Sequence, residues 1–153
     1  MSIHKDILRK IYKKYLDKND RFLLLFSVGI KMQIPHNFII SCIHKGEIDI
    51  VKWGFHNGCN CNKEALISAI TNRQPEILKW LINCKVKGFY REVDYMTSSP
   101  LWTIAVENNQ VESLKILKEN GYVFNINYLP YPFEYMFDEK YQKEILEWFQ
   151  KNV

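Results

Sequence analysis

A five-residue helical phrase is written four times along this chain: Asp49-Ile50-Val51-Lys52-Trp53, Glu76-Ile77-Leu78-Lys79-Trp80, Glu112-Ser113-Leu114-Lys115-Ile116 and Glu144-Ile145-Leu146-Glu147-Trp148. The closing residues Trp53, Trp80, Ile116 and Trp148 are spaced by 27, 36 and 32 residues. Those intervals scatter around the period of a two-helix stacking unit. One such unit cannot bury its apolar face alone, so it must stack on neighbours of its own kind. The repeat therefore implies an all-α fold, a helix-turn-helix repeat solenoid closed by N- and C-terminal capping units.

At 153 residues and 47% hydrophobic content the chain is the size of one domain with a continuous core. Its charge is unevenly placed. Residues 1 to 21 hold seven cations (Lys5, Arg9, Lys10, Lys13, Lys14, Lys18, Arg21) against Asp6, Asp17 and Asp20, an excess equal to the whole formal net charge of +4. A basic end can steer toward nucleic acid, an anionic surface or an acidic partner. The plainer account is a solvated helix face that keeps a terminal unit soluble. Cys42, Cys59, Cys61 and Cys84 lack the dense pairing of a small secreted scaffold and read as reduced thiols of a cytoplasmic protein. The N-terminus shows no leader pattern, and the most apolar stretch, Phe22 to Ile30, is about half of what a membrane span needs.

Residues 3 to 16 place Ile3, Ile7, Leu8, Ile11, Tyr12, Tyr15 and Leu16 on one helical face. Asn19-Asp20 then opens a second helix that Gly29 stops. From Pro35 onward, helices are expected near Phe38 to His44, Ile48 to Asn57, Leu101 to Glu107 and Val111 to Asn120, with Pro75 opening another and a last helix at the C-terminus. Gly46, Gly58 and Gly121 punctuate the turns. The expected divisions are a cap over 1–35, repeats over 36–62, 63–98 and 99–130, and a cap over 131–153. Residues 85–99 form the junction with room for a projecting hairpin.

These residues resemble the ankyrin repeat. Gly46 sits where that family commonly has glycine between its helices. Asp49, Glu76 and Glu112 match its acidic opening of the second helix, and Cys42, Ala69 and Ala105 match its small first-helix residue. Asn57-Gly58-Cys59-Asn60-Cys61-Asn62 resembles the family's exit turn, and Ser99-Pro100-Leu101-Trp102 its threonine-proline-leucine-histidine signature, with Pro100 one residue too far from Ala105. The other units lack that signature, so the array is degenerate and similar to ankyrin proteins encoded by large DNA viruses of AT-rich genome; such an origin would place the chain in the host cytoplasm.

The resemblance implies a non-enzymatic module that binds a protein partner on a concave face built from first helices and projecting loops. On that logic Phe89, Tyr90, Arg91 and Tyr95 lead, since aromatic and arginine side chains dominate hot spots. Lys45, Asn72, Trp102 and Asn108 form the adjoining floor, with Ser41 and Ser68. Phe89 and Tyr95 either project or fold back as core, and Trp102 stands open between exposure and burial. Trp53, Trp80 and Trp148, at equal register, read as inter-repeat packing. His56, Cys59 and Cys61, with His36 and Cys84, raise zinc, but Cys59 and Cys61 are one residue apart and no second close pair exists, so no metal or other cofactor is expected. No phosphate loop, nucleophile elbow or paired carboxylates mark a catalytic site.

Two other readings belong to different classes: an electrostatic binder acting through the basic N-terminal helix, and a self-associating structural subunit using the aromatic end around Tyr131, Phe133, Tyr135 and Phe137. Nucleic acid is the less favoured partner, because the plainer account covers the basic face. Leu129-Pro130 with Phe133, Met136, Phe137, Ile145 and Leu146 faintly resembles a ubiquitin-ligase-recruiting box, but Trp148 keeps repeat register, which favours a cap.

Overall fold

The computed structural model describes residues 6–7, 36–59, 62–84, 101–125 and 143–152. Among them are seven helices and no strand. The chain divides into two compact units, Met1–Cys61 and Asn62–Val153.

The first unit contains α1 (His36–His44) and α2 (Ile48–His56), packed against each other. Helix α1 begins directly after Pro35, a residue whose neighbourhood disfavours helix on its N-terminal side. Three residues join the pair, and their amides all turn back onto α1: Lys45 to the Ser41 carbonyl, Gly46 to Ile43 and Glu47 to Cys42. The Glu47 carbonyl then accepts from Ile50 and Val51, each at 3.0 Å, so the group that ends the turn opens α2. Gly46 has φ 70°, a left-handed angle that glycine adopts at little cost. Ile39, Cys42, Ile43, Ile50 and Val51 are fully buried between the helices, with Trp53 nearly so. Gly54 allows this close approach, because a β-carbon built there would collide with Cδ1 of Ile39.

The second unit repeats the arrangement: α3 (Lys63–Thr71) pairs with α4 (Pro75–Asn83), and α5 (Leu101–Glu107) with α6 (Val111–Glu119). The first helices α3 and α5 lie side by side, as do the second helices α4 and α6, and α7 (Lys143–Asn152) packs on α6. Asn62 caps α3 by accepting the Glu64 amide at 3.0 Å, and Pro75 occupies the first turn of α4, where its missing N–H is an orphan anyway. Both inter-helix turns copy that of the first unit. Gln74 donates to Ala69 and Gln110 to Ala105, each at 2.8 Å, and each carbonyl goes on to open the following helix. The small residue expected from the sequence is thus both the fully buried inner contact and the acceptor that closes the turn.

The left-handed residue of these turns is Arg73, φ 56°, in one and Asn109, φ 52°, in the other. Asparagine tolerates that region; arginine pays a Cβ penalty of about 1 kcal/mol. The helix ends share another device. Asn57, Asn72, Asn108, Asn120 and Asn152 each donate a side-chain N–H to the carbonyl four residues earlier, at 2.7 to 2.8 Å. Trp80 departs from its register, being half-buried where Trp53, Ile116 and Trp148 are buried.

Two stability predictions follow from these turns and contacts. Arg73→Gly raises the unfolding free energy by about 1 kcal/mol, a melting shift of roughly 2–4 °C, and Gly46→Ala lowers it comparably; unchanged melting in both would mean that the left-handed angles carry no strain. Gly54→Ala destabilises by about 1–2 kcal/mol despite alanine's better helix propensity, because Ile39 must move. In a urea-denaturation cycle with Ile39→Val the two changes couple favourably, and strict additivity would remove the contact from the argument.

Candidate functional site

Counting from the buried small residue gives each first helix the same set of equivalent positions. Three residues before Cys42, Ala69 and Ala105 stand Ile39, Leu66 and Trp102, and two residues after stand His44, Thr71 and Glu107. The first set is core, and the second is exposed. Lys45, Asn72 and Asn108 come next, in the turn itself.

Trp102 is therefore withdrawn from the partner-facing floor. It is 1% exposed, because it occupies the register of Ile39 and Leu66, both fully buried, and its indole offers no area to a partner. It sits in an aromatic cluster that joins α5, the segment after α6, and α7. The Trp102 ring lies 5.6 Å from Phe124 and 6.0 Å from Phe149, and Trp148 lies 5.2 Å from Phe124 and 5.3 Å from Phe149. Lys118 closes the cluster's edge: its ammonium is 5.7 Å from the Trp148 ring centroid and donates to the Asn152 carbonyl at 2.6 Å. A cation on the last carbonyls of α7 also complements that helix's dipole.

Asn72 and Asn108 are half-buried, and each commits a side-chain N–H to its own helix. Helices α3 and α5 are neighbours, and these two positions hold the same register, three residues after the buried small residue, in each. Lys45 is exposed at the equivalent turn of the first unit. Ser41 is half-buried and Ser68 buried, the latter supplying its carbonyl to Asn72 and Thr71. Phe89, Tyr90, Arg91 and Tyr95 lie outside the described residues, as do Tyr131, Phe133, Tyr135 and Phe137.

Sequence reasoning passed over Thr71, Arg73 and Glu107, which are exposed along the same edge. The signal was available in the register count from Ala69 and Ala105. Of the cysteine and histidine set, Cys59 is buried, and His56 Nδ1 donates to the Lys52 carbonyl at 2.6 Å. Among the described residues no group of three or more His, Cys, Asp or Glu side chains is placed to hold a metal ion, and no helix is long and apolar enough to cross a membrane.

Trp102→Ala is expected to cost about 3–5 kcal/mol of unfolding free energy, whereas Trp102→Leu, which restores the residue type of Leu66, costs markedly less. Guanidinium denaturation checks this. A loss below about 1 kcal/mol for the alanine variant would mean that the ring is not part of the packed core.

Residues 38–128 match a family model described as ankyrin repeats in three copies. No curated protein and no solved structure matches the chain.

Proposed function

The chain belongs to the ankyrin-repeat family, whose repeats are generic protein–protein interaction modules, and from that premise we propose that it is a non-enzymatic binder of a folded protein partner, engaged reversibly on the concave face of the repeats. The observation that carries this reading is the register of the first helices. Adjacent α3 and α5 carry Thr71 and Glu107, then Asn72 and Asn108, at matching register positions. Side chains repeated at equal register form a row, and a row of polar groups beside half-buried Ile67 and Ile104 is the composition of an interface rim around an apolar contact.

The 85–99 connection supplies the anchors in this proposal, through Tyr90 and Arg91, with Phe89 and Tyr95 beside them. Trp102 supports the floor from behind by fixing α5 against α7. The partner is expected to be a cytoplasmic protein, met in the host cytoplasm if the chain is viral.

The C-terminal unit fits the role of a cap. The exposed residues of α7 are Lys143, Glu144, Glu147, Gln150 and Lys151, all polar, a composition that opposes stacking of a further apolar unit on that face. The same polarity weighs against the self-associating subunit, at least through α7. The electrostatic alternative keeps one specific support, the net +4 carried by residues 1–21.

Affinity capture from a host lysate, eluted along a salt gradient, separates these readings. Wild type is expected to retain a protein that Tyr90→Ala/Arg91→Ala loses, with modest salt sensitivity. Capture of nucleic acid alone, released steeply as salt rises, would transfer the function to the basic end.

A further inference from the structure

The three described inter-helix turns form an internal control. All three make the same pair of closing hydrogen bonds and hold their middle residue at left-handed φ, 70°, 56° and 52° for Gly46, Arg73 and Asn109. Glycine meets that angle without a Cβ clash, and asparagine is among the residues that visit it; arginine is the misfit. A misfit held by its surroundings is ordinarily offset by something the side chain does.

Among the described residues that offset is missing. Arg73 is exposed, and its guanidinium makes no hydrogen bond, ion pair or ring contact among the described residues. Exposed Glu76, three residues on, and exposed Glu107, on the adjacent first helix, leave it unpaired. The backbone beneath is fixed, with the Arg73 amide donating to Ile70 at 3.1 Å and the Asn72 amide group tied to Ser68 at 2.8 Å. The side chain is thus a five-donor fork on a rigid turn, and its planar geometry matches a carboxylate in bidentate fashion.

We propose that Arg73 is a docking residue for a carboxylate of an acidic segment on the partner protein, presented from the turn edge and not from the inner face. This rests on the protein-binding reading above and names a second point of contact for it. It also predicts an unusual pairing of effects, since removing the arginine strengthens the fold while weakening recognition.

The test uses the full chain, ¹⁵N-labelled, titrated by NMR with a blocked tri-glutamate peptide and, in parallel, with inorganic phosphate. The peptide is expected to shift the Arg73 Nε–Hε resonance and the amides of residues 72–74 saturably. Arg73→Lys keeps the charge but not the fork, and weakens that binding about fivefold or more. Arg73→Gly abolishes the shifts at the turn while its melting temperature rises. Peptide shifts confined to residues outside the turn, a lysine variant that binds as well as wild type, or phosphate acting as strongly as the peptide would each overturn the assignment. A positive titration with no protein captured from lysate removes the partner-binding reading alone. Capture that survives Arg73→Gly, beside a flat titration, removes the Arg73 assignment alone.

Discussion

Helices of seven to ten residues do not persist in water, because nucleating a helix fixes several dihedral angles for one hydrogen bond. Every described helix lies in that range, so each exists only through the face it buries. The linkage is the turn in which Cys42, Ala69 or Ala105 accepts the amide of Glu47, Gln74 or Gln110. One short hydrogen bond there ends a helix, and the same residue's carbonyl begins the next. The acceptor is also fully buried against the neighbouring helices, where only a small side chain is found, so side-chain size and backbone closure are specified by a single position.

Most of the architecture was legible because it is written in that local grammar. The boundaries at Glu107, Pro75 and Leu101, the glycine stops at 46, 58 and 121, and the buried small residues all follow from spacing and residue type. What the sequence left open was Trp102, which falls where the first helix begins, near the family's ligand-facing edge; counting back from Ala105 puts it in the register of buried Ile39 and Leu66. The helix register, not the motif, decides which way a side chain points.

The candidate surface was less legible for a related reason. A row of outward residues has no period of its own beyond the repeat's, and its side chains are free to vary, so the sequence marks where a surface lies without marking what it binds. The asparagines illustrate the difficulty: Asn72 and Asn108 resemble surface hydrogen-bonding groups, yet each spends a donor on its own helix end, as Asn57, Asn120 and Asn152 do. The exchange of a large for a small residue in the third repeat is a subtler case. Where the other repeats have Ile39 with Ile50 and Leu66 with Ile77, this one has Trp102 with Ser113, whose buried hydroxyl has no hydrogen-bond partner.

Nearly all the described hydrogen bonds join residues within five positions of each other, whereas the bond from Lys118 to the end of α7 closes a span of 34. Closure of that loop costs chain entropy before any contact compensates it. The terminal helix is accordingly the element expected to zip last and to breathe first, and its amide protons would exchange through partial opening while those of α4 and α6 await loss of the whole stack.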